Sequence, residues 1–182
     1  MLGYWNAPEL TRETFCEGWL RTGDVARIED GELRIVGRLK ELIVLSKGEN
    51  VAPAPVEAAI TADPLFRQAL LVGEGWAQTG AVLVLEPAAW ARFAREQGID
   101  PAAADALAHP RAVEAAQARV ARLTDGFPAH ARPRAVALTL EDWTVEAGLL
   151  TPTRKLRRAA LADHLAQTIA RLGAAVAARR AG

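Results

Sequence analysis

Two short runs, at residues 67–72 and 81–86, constrain the fold of this chain more than any other feature of its sequence. Four consecutive residues of the first run and five of the second are apolar. Each run has the length of a strand, and the loop 73–80 joins them, so they predict two paired and buried strands. Two segments with apolar residues at helical spacing follow, at 87–97 and 110–123, and each opens with a proline. The sequence therefore predicts an α+β fold, a small mixed or antiparallel sheet with flanking helices.

The first 37 residues carry a separate signal. Residues 25–29 and 32–36 are strand-like, and Asp30 and Gly31 between them form a dipeptide that readily adopts the positive backbone angles of a tight hairpin turn. A lone two-stranded hairpin is marginally stable in water, and its edges need cover. We therefore expect residues 1–37 to be the end of something larger.

The remaining segments complete the predicted order of elements. They are a short helix over 7–16, a strand over 42–45, a polar loop over 46–50, a short helix over about 56–61, a strand over 134–140, a loop over 146–154 and one alanine- and arginine-rich helix over 156–180.

Composition excludes several classes of function. The 22 basic and 22 acidic residues give a formal net charge of +0, so the overall balance does not recruit nucleic acid. A single cysteine, Cys16, excludes an internal disulfide framework and fits a reducing compartment. The sequence contains neither a signal-peptide pattern nor an apolar run long enough to cross a bilayer, and we expect a cytoplasmic location.

Generic motif searches find no self-contained active site. The chain lacks the glycine-rich phosphate loop of the nucleotide triphosphatases. His109, His130 and His164 lie far apart without metal-ligand spacing, and no metal site is expected. Ser46, the only serine, lacks the flanking glycines of a nucleophile elbow. Only three of the basic residues are lysines, which suggests that each retained lysine needs a compact ammonium.

Four strings in one order carry a family resemblance: GYWNAPELTRETF, GWLRTGD, GRLKELIVLSKGENVAPAPVE and GLLTPTRKLRR. Together they resemble the closing motifs of the AMP-forming acyl-CoA synthetases, most closely those of the long-chain fatty acid-CoA ligases. The resemblance implies that residues 1–37 are the tail of the N-terminal adenylation domain and 38–182 the C-terminal lid domain. It also implies that fatty acid, ATP and CoA are the substrates, that Mg²⁺ is held mainly by ATP, and that the chain is incomplete without the N-terminal domain, in cis or in trans.

The same resemblance assigns two nucleotide-binding residues and a hinge. Asp24 matches the aspartate that accepts hydrogen bonds from the ribose hydroxyls, and a turn-capping aspartate is the alternative. Arg38 matches the arginine that contacts the nucleotide, and a surface salt bridge is the alternative. Lys40 matches the hinge about which the lid rotates, and the alternative is a plain surface lysine.

Lys155 matches the catalytic lysine of the adenylation step. Its point charge would bridge the substrate carboxylate and the α-phosphate, where negative charge builds up in the transition state. The alternative is a lysine at a helix N-terminus, where the helix dipole disfavours a cation. One departure lies beside it: this chain has Arg154 where the family more often has glycine or an apolar residue.

Gly48, Glu49 and Asn50 match a lid loop near the pantetheine channel, and the resemblance implies that they bind CoA. A glycine would allow the loop backbone to approach the ligand closely, although any hairpin can require a glycine. The terminal helix is interpreted as a lid-packing helix, with peripheral membrane contact as the less favoured alternative. Two other functions stay open: a non-catalytic lid module that binds a partner or nucleotide, and a ligase that loads an acyl carrier protein.

Overall fold

The computed structural model describes residues 1–178 and divides the chain into two compact units, with the boundary after Leu42. The first unit is Met1–Leu42 and the second begins at Ile43. Both units combine helices and strands, so the α+β prediction is confirmed.

The first unit is built around the predicted hairpin. A short helix α1 (Pro8–Thr14) and two two-residue strands, β1 (Phe15–Cys16) and β2 (Trp19–Leu20), precede it. The hairpin itself is β3 (Asp24–Glu29) paired antiparallel with β4 (Glu32–Arg38). Asp30 and Gly31 adopt φ of +51° and +82°, the turn geometry that this dipeptide predicts.

The hairpin has one apolar and one charged face. Ile28, Leu33 and Ile35 share the apolar face, and each is 66–73% exposed. The opposite face carries charged residues in ion pairs, Arg27–Glu29 at 3.1 Å, Arg34–Glu32 at 3.6 Å and Arg34–Glu29 at 3.9 Å. None of residues 1–42, all of which the structure describes, is buried.

The second unit is organised around a three-stranded sheet of order β7-β8-β9. The antiparallel pairing of β7 with β8 confirms the predicted strand pair, and β9 runs parallel to β8. The elements in chain order are β5 (Ile43–Val44), β6 (Asn50–Val51), α2 (Pro53–Thr61), β7 (Phe66–Val72), β8 (Gly80–Leu85), α3 (Pro87–Glu96), α4 (Pro110–Leu123), β9 (Val136–Thr139), α5 (Arg158–His164) and α6 (Ala166–Ala178).

Hydrophobic residues are buried on both faces of this sheet. All six residues of β8 are buried: Ala81 and Leu83 point into a cluster with α2, α3 and α4, whereas Val82 and Val84 point into a second cluster with Trp143, α5 and α6. Alternation along an extended strand sends successive side chains to opposite faces, so a strand buried on both faces is continuously apolar. This is why residues 81–85, which make up most of β8, are all apolar.

The single helix predicted over 156–180 is wrong. The structure has two helices, α5 and α6, interrupted at Leu165, whose φ and ψ are −98° and 14°. Leu161, Leu165, Leu172 and Val176 are all buried in the second cluster and keep helical spacing across the interruption. The apolar pattern therefore gives no sign of the break. Residues 179 and 180 of the predicted helix lie outside the described residues.

Candidate functional site

The two predicted nucleotide-binding residues lie together at the open end of the β3–β4 hairpin. Asp24 begins β3, Arg38 ends β4, and they are opposite each other in register. Their side chains form an ion pair with Arg38 Nε and Asp24 Oδ1 3.4 Å apart, and these side chains are 63% and 25% exposed. Such an exposed pair contributes little stability. Its carboxylate oxygens remain available as acceptors for hydroxyl groups.

The backbone around Asp24 is fixed locally. The Asp24 amide donates to Thr22 Oγ1 at 3.2 Å, and the Leu39 amide donates to the Gly23 carbonyl at 2.8 Å. These bonds tie the residues before β3 to the residue after β4. The hairpin thus holds the Asp24 carboxylate in a defined place without burying it.

Lys40, the predicted hinge, lies in a single 3-10 turn, Leu39–Glu41, and is exposed. The Leu42 amide closes this turn on the Leu39 carbonyl at 3.4 Å. The boundary between the two compact units follows Leu42 directly. A single turn at a unit boundary can change its backbone angles with few lost contacts, as a hinge requires.

The predicted CoA loop is the turn between β5 and β6. The Leu45 amide donates to the Glu49 carbonyl at 2.9 Å, and the Gly48 amide donates to the Leu45 carbonyl at 2.8 Å. Gly48 has φ +82°, and no heavy atom lies within 4 Å of where a Cβ would be. The glycine is thus required by the turn geometry, and the space beside it is open to a ligand. Asn50, predicted in the loop, is the first residue of β6.

A cavity of about 390 Å³ adjoins this loop. Lys47, Glu49 and His130 contribute its polar lining, with Ala77, Gln78 and Ala129. The Oε2 atom of Glu49 is buried and has no hydrogen-bond partner among the described residues. A buried carboxylate oxygen without a donor is unusual in a native structure and marks a place where a ligand donor could bind.

A larger cavity of about 690 Å³ shares Gln78 and Ala129 with the first. Arg132 and Arg134 line it, and Arg132 already contacts Asp125 at 2.7 Å and the Phe127 carbonyl at 2.6 Å. The two cavities thus adjoin on the second unit, one with Lys47 in its lining and the other with two arginines. Sequence reasoning missed both cavities, because their lining comes from four separated segments.

Trp76 supports the Gly48 loop and was also missed. Its carbonyl accepts a hydrogen bond from the Ser46 amide at 2.8 Å, and the Gly75 amide donates to the Val44 carbonyl at 2.8 Å. On its other side the indole packs against Gly173 of α6, where a Cβ would lie 2.8 Å from Cζ2 of Trp76. Real Cβ atoms essentially never approach so closely, so only glycine leaves room for this ring.

Lys155 lies at the end of a tight loop that an antiparallel bridge between Leu150 and Leu156 closes. The Thr151 amide donates to the Lys155 carbonyl at 2.8 Å, and the Lys155 amide donates to Thr151 Oγ1 at 3.0 Å. Lys155 is exposed, and its ammonium has no hydrogen-bond or ion-pair partner within residues 1–178. A fixed backbone thus presents an unpaired cation.

A buried ion pair anchors the chain just after this loop. Arg158 Nη1 and Nη2 donate to Glu57 Oε1 and Oε2 at 2.9 and 2.6 Å, and the Leu71 amide also donates to Glu57 Oε1 at 2.8 Å. Glu57 is only 8% exposed. Removing one partner of such a pair strands a buried charge, so the pair ties the start of α5, which follows the loop, to α2 and β7. A glutamate on the apolar face of α2 was the only sequence signal for it.

Arg154 has φ +60°, the left-handed region that favours glycine. Its amide donates to the Thr151 carbonyl at 2.7 Å, which closes the loop in this conformation. Such a conformation costs about 1 kcal/mol or more in a residue other than glycine. The structure therefore gives a physical reason why glycine suits this position and makes the arginine of this chain notable.

His109 and His164 have hydrogen-bond partners within the described residues. His109 Nδ1 accepts from the Arg111 amide at 3.3 Å at the start of α4, and His164 Nε2 lies 2.8 Å from Glu141 Oε1. Within residues 1–178, no group of three or more histidine, cysteine or acidic side chains could hold a metal ion. No helix in this part of the chain is both long and apolar enough to span a membrane. The buried residues of α6, Leu172 and Val176, face the core.

The second unit thus combines helices and strands with a closed loop that presents Lys155. The model of the family described as the AMP-binding enzyme C-terminal domain matches residues 40–175, and this chain belongs to that family. The recognition made from the four sequence strings is confirmed.

Curated relatives include long-chain fatty-acid-CoA ligases. The ligase FadD15 of Mycobacterium tuberculosis is 34% identical over 170 residues, which cover 92% of this chain and 28% of that ligase. The fatty-acid-CoA ligase fadD11 of the same species, described as putative, is 32% identical over 94% of this chain and 31% of its own length. The chain therefore spans less than a third of each relative.

Solved structures confirm the fold. The adenylation domain of a carboxylate reductase from Mycobacterium chelonae matches 94% of this chain with a TM-score of 0.78 and 30% identity, over 26% of its own length. The A-PCP didomain of a carboxylic acid reductase from Segniliparus rugosus, solved with AMP, matches 99% of this chain with a TM-score of 0.78 and 28% identity, over 24% of its length.

Proposed function

We propose that this chain is the C-terminal part of an AMP-forming long-chain fatty acid-CoA ligase, which converts ATP, fatty acid and CoA to acyl-CoA, AMP and diphosphate in the cytoplasm. The observation that carries this proposal is the unpaired ammonium of Lys155 on a loop that hydrogen bonds close and a buried ion pair follows. Preorganised cations of this kind are effective where negative charge develops in a transition state. The fatty-acid-CoA ligase relatives support the substrate class.

Lys155 is the catalytic residue of this proposal. In the adenylation step, a carboxylate oxygen attacks the α-phosphorus of ATP and diphosphate leaves. Two anionic groups must approach each other, and a lysine ammonium can bridge them as a compact point charge. Lys155 is exposed and has no partner among the described residues, so it breaks no ion pair when it bridges the carboxylate and the phosphate.

Asp24 and Arg38 are the nucleotide-binding residues, and Lys40 is the hinge. The Asp24 carboxylate, held in place but accessible, can accept both hydrogen bonds of the vicinal ribose diol. Arg38, whose Nε lies 3.4 Å from Asp24 Oδ1, can itself contact the nucleotide. The donor and acceptor set thus fits ATP, whose phosphates would hold Mg²⁺. Solved relatives in complex with AMP support nucleotide binding.

Gly48, Glu49 and Asn50 are proposed to bind CoA. Open space beside Gly48 admits a narrow chain such as pantetheine, and the buried Glu49 Oε2 needs a donor that the amides of pantetheine can supply. Lys47, in the lining of the adjoining cavity, offers a cationic side chain to the phosphates of CoA.

The partner of this chain is an N-terminal adenylation domain, in cis or in trans. Residues 1–37 would be the tail of that domain and 38–182 the lid. The apolar face of the β3–β4 hairpin supports this assignment, because Ile28, Leu33 and Ile35 are exposed and residues 1–42 contain no buried side chain of their own. An apolar strand face of this kind is stable only when something covers it.

A chimera tests the proposal. Residues 1–182 replace the matched region of the ligase FadD15 of M. tuberculosis, and two reactions are measured: ATP–pyrophosphate exchange with a long-chain fatty acid, and acyl-CoA formation. We expect the chimera to carry out both, and Lys155→Ala to lower the exchange rate by about 100-fold or more. Arg92→Met, on the exposed part of α3, is the matched control and should leave both rates unchanged.

A folded chimera that is inactive in both assays would contradict the enzyme proposal and favour the non-catalytic lid module. Folding is checked by its thermal transition and by AMP binding. Retention of full exchange activity in Lys155→Ala would contradict the assigned role of the lysine while leaving the reaction class intact.

The second candidate is a ligase that passes its acyl group to a carrier protein. The similarity to carboxylate reductase adenylation domains, with a TM-score of 0.78, favours this alternative. CoA and a phosphopantetheine-bearing carrier protein are offered in competition to the acyl-adenylate formed by the chimera. Transfer to CoA supports the main proposal, whereas transfer to the carrier supports the alternative.

A further inference from the structure

The backbone of Arg154 sets it apart from the other residues of its loop. It has φ +60°, a region that arginine rarely adopts, and it is exposed. A residue held in an unfavourable conformation by its surroundings is a common feature of ligand-binding sites. The loop hydrogen bonds of Thr151 would form equally well around a glycine, because they involve only the backbone of residue 154.

The Arg154 side chain differs from the arginines that follow it. Arg157 Nη1 donates to the Gly148 carbonyl at 2.9 Å, and Arg158 is held by Glu57. The guanidinium of Arg154, in contrast, has no hydrogen-bond or ion-pair partner within residues 1–178, and neither has the adjacent ammonium of Lys155. The loop tip therefore presents two adjacent unpaired cations on a fixed backbone.

We propose that Arg154 binds the diphosphate end of ATP during adenylation, next to Lys155. This inference rests on the proposed function of the chain. In that step a bond forms between a carboxylate oxygen and the α-phosphorus, and the bond from the α-phosphorus to the diphosphate oxygen breaks. The electron pair of the broken bond leaves on the diphosphate, which gains negative charge.

Two cations of different shape suit the two ends of this reaction. Lys155 supplies a point charge for the carboxylate and the α-phosphate. The guanidinium of Arg154 is planar and can donate two parallel hydrogen bonds to phosphate oxygens. An arginine beside the catalytic lysine therefore adds recognition of the leaving group, which the lysine cannot supply alone.

The binding test uses this chain and inorganic pyrophosphate as the probe. Amide resonances of residues 151–156 are followed by NMR during a titration, with thermal unfolding measured on the same samples. Arg154→Gly relaxes the backbone and removes the guanidinium, so we expect unchanged or higher thermal stability together with about a five- to tenfold loss of pyrophosphate affinity. Arg154→Lys should retain part of the affinity, and Arg92→Met should retain all of it.

Three results would overturn the inference. They are the absence of saturable shifts at 151–156 in the natural chain, unchanged affinity in Arg154→Gly, and an equal loss in Arg92→Met, which would indicate unspecific charge attraction. In the chimera, Arg154→Gly should raise the KM for pyrophosphate in the exchange reaction about fivefold with kcat nearly unchanged, whereas Lys155→Ala lowers kcat.

These readouts separate this inference from the proposed function. A chimera without exchange activity, combined with specific pyrophosphate binding lost in Arg154→Gly, contradicts the ligase proposal and leaves the anion site in place. An active chimera in which Arg154→Gly changes neither KM nor affinity contradicts the role of Arg154 alone.

Discussion

The two units of this chain differ in how their apolar residues are used. In the second unit, β8 is buried on both faces, and helices cover the sheet from both sides. In the first unit, Ile28, Leu33 and Ile35 are 66–73% exposed, and nothing within residues 1–42 is buried. Both units have regular hydrogen-bonded strands, so pairing alone does not make an independent fold. A core that excludes water on at least one face is also needed.

The largest expected effect tests this difference directly. Leu83→Ala removes a fully buried side chain from the centre of β8 and should lower the free energy of unfolding by about 3–5 kcal/mol. Ile35→Ala removes a similar side chain from the exposed face of the first unit and should change it by less than about 0.5 kcal/mol. Urea denaturation followed by tryptophan fluorescence measures both. Equal destabilisation by the two variants would contradict the comparison.

A second pair of variants compares ion pairs in the two units. Glu57→Gln leaves Arg158 without its buried carboxylate, and we expect a loss of about 2 kcal/mol with faster amide exchange at residues 151–156. Glu29→Gln breaks exposed pairs of the hairpin and should cost less than about 0.5 kcal/mol. The larger loss expected for Glu57→Gln comes from the burial of its ion pair with Arg158. A small loss would show that this ion pair does not stabilise the second unit.

Gly173→Ala tests whether the packing of Trp76 against α6 stabilises the second unit and its Gly48 loop. The new methyl group would lie 2.8 Å from Trp76, and displacing the indole should offset the gain in helix propensity, leaving a net loss of about 1 kcal/mol. Because the Trp76 carbonyl accepts from Ser46, amide exchange at residues 44–50 should become faster. Gly126→Ala has open space at its Cβ and serves as the control. If amide exchange at residues 44–50 were unchanged in Gly173→Ala, this would contradict the idea that α6 supports the Gly48 loop through Trp76.

The smallest effect is expected at Arg38. Its ion pair with Asp24 spans 3.4 Å and is largely exposed, so Arg38→Ala should change the free energy of unfolding by less than about 0.5 kcal/mol. A nucleotide role predicts instead that AMP binding by the chimera weakens several-fold. A clear loss of stability without any change in AMP binding would favour the plain salt bridge over the nucleotide-binding assignment.

The residues of the candidate site could be proposed from motif strings, although the contacts that hold its loops in place could not. Asp24, Arg38, Lys40, Gly48 and Lys155 were singled out because each lies in a string similar to a family motif, and their roles stay predictions. Glu57 with Arg158 and Trp76 with Gly173 were missed, since each pair brings together residues about a hundred positions apart. Neither pair has a periodic or spacing signal in the sequence.

The sequence by itself determined the local elements of this protein. Prolines begin α2, α3 and α4, Asp30 and Gly31 form the hairpin turn, and the apolar residues 81–85 form most of β8. These features depend on backbone preferences and burial patterns that act within a few residues. Only the tertiary structure decided the parallel placement of β9 and the contacts that hold the Lys155 and Gly48 loops. Each of these depends on which distant surfaces meet, and packing free energy between them outweighs local propensity.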